Sequence, residues 1–240
     1  MKCKIAQVEG PWEETGYTFK IAGSTEYPII SAFLRKYYYQ DEPITQFLGY
    51  TESKANDMDD VVKQFLEDSL SLFAVHEETG EVAAVRIAYD SRRKMNLTST
   101  YKSKDNLKVQ ICKDTLLQMA QESLSTRYAE STYAMGFLSS VATTHRGKGL
   151  ASEIYVRSLL QFKERGFVMT RNFFSSKITM KIVGRLGYEE LSRSYLGELR
   201  NGDGGELVFE GADPDFYATL MAKRLDTDTD NCIEKCKNLA

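Results

Sequence analysis

Leu138-Ser139-Ser140-Val141-Ala142-Thr143-Thr144-His145-Arg146-Gly147-Lys148-Gly149-Leu150-Ala151 is the stretch on which the fold turns. Tyr133 to Ala142 is short and apolar, which suits a buried strand. A stripe through Leu150, Ile154, Leu159 and Phe162 then carries a helix to about Arg165. Strand, tight glycine loop and helix thus follow one another directly. Gly147 and Gly149 let the backbone turn sharply and aim free N–H groups at an anion, while the helix dipole and the charges of Arg146 and Lys148 strengthen the field. A phosphate is the natural guest, although the same residues also fit a plain tight connection. Two common phosphate motifs fail on spacing. The triphosphate loop needs glycine at 142 and Ser or Thr at 149, where Ala142 and Gly149 stand, and the dinucleotide fingerprint fails at Ser152.

Downstream, Phe167 to Phe174 reads as a strand and Ser176 to Leu186 as a helix through Ile178, Ile182, Val183 and Leu186, with Gly187 placed as its C-terminal cap. Tyr188 to Tyr195 and Phe216 to Lys223 close the pattern as strands, with Gly202 to Gly205 in the loop between them. Upstream, Tyr17 to Ala22 alternates as a first strand. Thr25 to Tyr39 shows helical spacing through Ile29, Ile30, Phe33, Leu34 and Tyr37, and ends near Asp41-Glu42-Pro43, because the residue before a proline is pushed out of the helical region. Asp57 to Leu70 is amphipathic, Ser71 to His76 and Val82 to Tyr89 form a hairpin, and Asn106 to Leu124 is a long helix. The elements mix without strict alternation. They predict an α/β (α+β mixed) fold, a single domain over 1–225 with a mixed central sheet of about seven strands flanked by helices. The polar tail 226–240 lies beyond the core.

With 240 residues, 42% of them hydrophobic and 27% charged, the chain suits one substantial core. A net charge of −3 supplies no broad cationic field, which argues against nucleic acid as a partner. The N-terminal region, with Lys2, Lys4, Gln7 and Glu9, holds no apolar run for a signal peptide or membrane span, so a cytoplasmic, membrane-free protein and a monomer are expected. Cys3, Cys112, Cys232 and Cys236 are too few and scattered for a disulfide framework. Cys232 and Cys236 would share a helix face, yet with only His76 and His145 in the chain no metal-ligand set emerges. The sequon Asn96-Leu97-Thr98 lacks a secretory context.

The opening stretch resembles the acetyl-CoA signature of GNAT acetyltransferases, Arg/Gln-x-x-Gly-x-Gly/Ala, at Arg146, Gly149 and Ala151. More narrowly, Tyr37-Tyr38-Tyr39-Gln40-Asp41-Glu42-Pro43-Ile44-Thr45-Gln46-Phe47-Leu48 is similar to the Phe-Phe-x-Asp-Glu-Pro-Leu segment of insect-type arylalkylamine (dopamine) N-acetyltransferases. Lys181-Ile182-Val183-Gly184-Arg185-Leu186-Gly187-Tyr188 and Met221-Ala222-Lys223 extend the likeness, which runs from about Thr18 to Leu225. The resemblance implies acetyl-CoA as co-substrate, no metal, and a small-molecule amine as acceptor. It implies that Arg146, Gly147, Lys148, Gly149, Leu150 and Ala151 hold the pyrophosphate, and that the backbone of Ser139, Ser140 and Val141 pairs with the pantetheine arm and polarises the thioester.

Amine acetylation requires a neutral amine, whereas a free alkylamine with a pKa of about 10 is mostly protonated near neutrality. A carboxylate in a partly dry pocket accepts that proton directly or through water. On residue type alone Glu42 reads equally as a solvated carboxylate at a helix end; the resemblance makes it the catalytic base. Asp41, with Tyr39 and Pro43 beside it, is expected to bind the acceptor amine. The family also uses two serine hydroxyls four residues apart, which fall here on Ser175 and Thr179. Ser175 reads equally as a helix N-cap. Ile178 stands where many GNAT enzymes place a tyrosine acid, and Ala142 where insect relatives often carry aspartate. Tyr37, Tyr38, Tyr39 and Phe47 suit an aromatic amine, although such a stripe is equally what a core-facing helix shows. Polyamines, protein amines and a non-catalytic acyl-CoA sensor remain alternatives.

Overall fold

Alternation and turn chemistry translate into strands with little slippage. In the computed structural model, which describes residues 7–50, 52–93, 102–130, 132–202 and 204–225, β2 (Tyr17–Ala22), β3 (Ser71–His76) and β4 (Val82–Asp90) form an antiparallel run, the last two joined as a hairpin. β5 (Ala134–Val141) adds antiparallel to β4, and β6 (Met169–Phe174) adds parallel to β5. With β1 (Gly10–Trp12) at one edge, β7 (Glu189–Tyr195) and β8 (Tyr217–Arg224) complete a sheet of order β1-β2-β3-β4-β5-β6-β8-β7.

That sheet has eight strands rather than seven. The extra strand is β1 (Gly10–Trp12), which pairs with β2 from Gly10 opposite Phe19 to Trp12 opposite Tyr17. Three residues holding a glycine and a proline carry no periodicity, and a proline is tolerated here only because β1 is an edge strand.

Side-chain alternation sorts the core into two layers. On one face Phe73, Val85 and Ile87 meet α1 (Tyr27–Phe33) and α3 (Glu52–Leu66) through Ile30, Phe33, Val61, Val62 and Phe65. On the other, Leu72, Ala74, Ala84 and Ala88 meet α6 (Leu150–Glu164) and α7 (Lys177–Arg185). A third cluster, with Cys112 and Leu116, seats α4 (Lys104–Met119) near Ala218 and Leu220 of β8, and the short α5 (Gln121–Ser125) follows. α2 (Pro43–Phe47) contributes Ile44 to that cluster.

Three helices differ from expectation, the first being the single helix expected over Asn106 to Leu124, which is split at Ala120 into α4 and α5. α3 starts at Glu52 and stops at Leu66, where 67–69 turn with Ser69 at φ 52°. The segment read as one helix from Thr25 to Tyr39 begins with a 3₁₀ turn at Ser24–Glu26 and widens into a π turn over Leu34–Tyr38. Among the described residues no helix is long and apolar enough to cross a membrane. Cys3, Cys232, Cys236, the 96–98 sequon and the 226–240 tail lie outside the described residues.

Candidate active site

The site begins with a gap in the sheet. β5 and β6 pair only from Ala134 opposite Thr170 to Gly136 opposite Asn172, although both strands run on. Beyond Gly136 the edge of β5 facing β6 has no strand partner, while its other edge stays bonded to β4 up to Val141. Two local features open the gap. The β4–β5 register shifts between Ile87 and Ala88, skipping Phe137, and such bulges bend a strand. A Cβ at Gly136 would lie 1.6 Å from the Asn172 amide nitrogen, so only glycine lets that side chain cross between the strands.

The glycine loop stands at the end of the open edge. Gly147 and Gly149 have φ of 76° and 80°, values that L side chains avoid. Gly149 is the N-cap of α6, and the amides of Gly147, Lys148 and Gly149 donate to no carbonyl among the described residues. Three free amides at a helix start, with Lys148 exposed beside them, form a cradle for an anion. Trp12 of β1 lies over the loop, 3.1 Å from where a Cβ of residue 149 would sit.

Arg146 ties this loop to the Asp41–Pro43 turn. Its Nε donates to the Val141 carbonyl at 3.1 Å, and its Nη2 reaches Asp41 Oδ2 at 2.5 Å. Asp41 is half exposed and paired to Arg146 rather than lining the cleft. Tyr39 is likewise placed away from the cleft, buried in the α1–α3 core and stacked on Tyr50 at 5.2 Å. Pro43 is the first residue of α2, where its lack of an N–H costs nothing, and it sets the preceding turn.

Glu42 faces the cleft. It is the N-cap of α2: Oε2 accepts from the Thr45 amide at 2.7 Å, and Oε1 accepts a short hydrogen bond from Ser175 Oγ. Both carboxylate oxygens are therefore aimed by neighbours while the side chain stays half-buried. Ser175 does not cap α7; Ser176 does, accepting from the Thr179 amide at 3.3 Å. Thr179 lines the same cleft as Glu42 and Ser175, whereas Ile178 is 73% exposed. Ser139 lines it too and shares a 2.9 Å hydrogen bond with the Tyr155 hydroxyl, whose ring stacks on the buried Arg86 at 3.9 Å.

No protein-family model matches the chain. Solved structures do. It is similar to a mosquito arylalkylamine N-acetyltransferase like 5b, at 22% identity over 87% of this chain and 99% of that one, with a TM-score of 0.76. It is similar also to arylalkylamine N-acetyltransferase 2 from Aedes aegypti, at 19% identity over 88% and 99% of the two chains, TM-score 0.74. This is the GNAT fold. A third similar GNAT-fold structure is the polyamine N-acetyltransferase of Drosophila melanogaster, at 15% identity over 87% and 99%, TM-score 0.66. Identities of this size establish the GNAT fold; what the site does rests on its own residues.

Several cleft residues carry no sequence signal. Tyr50 donates a short bond to Asn106 Oδ1, and Asn106 in turn donates to the buried Asp57 at 3.0 Å. This relay fixes one wall, but its bonded partners are 56 and 49 positions apart and belong to no motif. Lys113 also reaches the cleft. Among the described residues no group of three or more His, Cys, Asp or Glu could hold a metal.

Proposed function

We propose that the protein is an acetyl-CoA-dependent N-acetyltransferase acting on a primary amine, with arylalkylamines as the acceptor class. The observation that carries the proposal is Glu42, whose carboxylate is aimed by Thr45 and Ser175 into a cleft that opens beside an anion-binding glycine loop. The residues fit the coenzyme: a free β5 edge at Ser139, Ser140 and Val141 suits the amides of a pantetheine arm, and the cradle of 146–151 suits a pyrophosphate. The coenzyme supplies the acetyl thioester.

Within that frame Glu42 takes a proton from the incoming ammonium, directly or through one water. The freed nitrogen attacks the thioester, so that the N–C bond forms as the C–S bond breaks, and the second proton that nitrogen sheds on becoming an amide passes through Ser175, Thr179 or water to the departing thiolate. Amides of the β5 edge stabilise charge building on the carbonyl oxygen. Aromatic walls from Tyr38, Tyr50 and Phe137 favour an aryl group, and the names carried by the similar mosquito structures agree.

The test is thiol release from acetyl-CoA with a panel of arylalkylamines, polyamines and a lysine peptide, comparing the unmodified protein with Glu42→Gln. Turnover of arylalkylamines is expected, with kcat/KM reduced by on the order of 10² to 10⁴ in the variant. Turnover of Glu42→Gln within threefold of the parent would remove the base assignment, and silence toward every amine would remove the reaction itself.

A further inference from the structure

The cleft lined by Glu42 also carries a charge of the opposite sign. Among the described residues that line it, Glu42 and Lys113 alone bear formal charge. Lys113 comes from α4, and its Nζ lies over the Phe137 ring at 4.7 Å and near the Phe173 ring at 5.9 Å. Those three side chains form a partition, since all three also line a second cavity of about 110 Å³ beneath α4.

The second cavity is cationic. Arg171 lines it with only 8% exposure, its guanidinium stacked on Tyr133 at 3.9 Å and one Nη2 donating to the Tyr128 carbonyl at 2.6 Å. Arg171 Nε, fully buried, has no partner. No carboxylate lines this cavity, and neither Lys113 nor Arg171 joins an ion pair among the described residues. About 10 to 15 Å³ on this scale holds one water, so the space admits a carboxylate with its hydration.

A half-buried ammonium over ring faces, with no ion pair among the described residues, is costly to keep. Burial pulls Lys113 down to about 8, with Cys112, Glu42 and Asp114 pushing it back up, so it still carries its charge near neutrality. The buried Arg171 behind it adds a second positive charge. Such an arrangement is relieved when an anion enters the cleft from outside.

The geometry points to an acceptor that is an amino-carboxylate: its amine against Glu42, its carboxylate against Lys113 with Arg171 behind, and an aryl linker between Tyr38, Tyr50 and Phe137. This deepens the N-acetyltransferase reading and rests on it for the amine end. Lys113 is then the residue that sets acceptor charge, accepting a distal anion and rejecting the second cation of a polyamine.

Binding of 4-(2-aminoethyl)benzoate, of the isosteric 4-(2-aminoethyl)benzamide and of agmatine to the full chain is measured by calorimetry with coenzyme A present, and thiol release is followed in parallel. The benzoate should bind at least about tenfold more tightly than the benzamide, and agmatine more weakly than either. The benzoate-to-benzamide ratio should fall to about one in Lys113→Met and survive in Lys113→Arg. A ratio near one in the unmodified protein overturns the inference without recourse to any variant, as does a ratio that persists in Lys113→Met. Acetylation of the benzamide with no benzoate preference would sink this inference and leave the proposed function standing. A preserved affinity ratio with no acetylation of any amine would do the reverse.

Discussion

Ser175 and Ser176 are neighbours with different tasks. Ser176 Oγ accepts from the Thr179 amide and caps α7, while Ser175 Oγ donates to Glu42. Ser176→Ala should therefore lose about 1 kcal/mol in urea unfolding. Ser175→Ala should instead lower kcat by about tenfold, because one oxygen of a half-buried carboxylate loses its donor. If Ser175→Ala lost stability and kept its kcat, the hydroxyl would be structural after all. A titration belongs to the same scale. His145 is held below the ordinary imidazole range, first by burial and then by the Lys148 charge and His76. Its Nδ1 and the Tyr17 hydroxyl share a 2.8 Å hydrogen bond. Below the unfolded value of about 6.5 the unfolded chain binds a proton that the folded chain resists. The stability due to neutral His145 is thus complete above that pH and declines as pH falls through it. Urea unfolding at pH 5.5 and 7.5 should show a smaller difference for His145→Gln than for the parent, and an equal difference would assign the pH dependence elsewhere.

At the scale of elements, the loop that begins α6 carries the most specific expectation. Gly149→Ala meets two costs: a left-handed φ of 80°, worth about 1 to 2 kcal/mol, and the Trp12 ring 3.1 Å from the new Cβ. Thermal unfolding should report that loss, and KM for acetyl-CoA should rise as the cradle amides shift; an unchanged KM would separate the loop from the coenzyme. This strand-loop-helix unit was legible because its signals are local, namely an apolar run, two glycines and a helical stripe. The hairpin of β3 and β4 and the strand β2 were legible for the same reason. β1 was not, since Gly10-Pro11-Trp12 has no period and owes its strand to pairing with β2. The π turn at Leu34–Tyr38 was equally silent, because a single widened turn leaves the apolar spacing almost untouched. Motif reasoning brought Glu42, Ser175 and Thr179 to one cleft, but it grouped Asp41 and Tyr39 with them by adjacency alone. In the fold Asp41 turns out to Arg146 and Tyr39 turns into the core. Lys113 sits on a helix whose polar residues look like a solvated face, so nothing local distinguishes it from Lys108.

The molecule as a whole is a sheet with one short seam. Hydrogen bonds run the length of every neighbouring pair of longer strands except β5 and β6, which join only between Ala134–Gly136 and Thr170–Asn172. The side holding β6, β8 and β7 is otherwise attached by α6 and α7, through Val183, Leu186 and Tyr188 packed with Ile154 and Leu159, and by α4, through Cys112 and Leu116 against Ala218 and Leu220. Fewer backbone bonds cross this seam than any ladder beside it, so openings that separate the two sides should be the least costly sub-global motions of the sheet. A ligand lying in the cleft contacts both sides and opposes those openings. At a concentration about a hundredfold above its Kd it contributes about 2.7 kcal/mol, equivalent to a roughly hundredfold slowing of any exchange that requires the site to come apart. Hydrogen exchange followed by mass spectrometry should accordingly show β6 and β8 exchanging faster than β3 and β4 in the free protein, and acetyl-CoA should slow β6 and β8 along with residues 146–151. Protection confined to 146–151 would mean that the coenzyme rests on the loop alone, and that the seam between β5 and β6 is closed by packing rather than by what it binds.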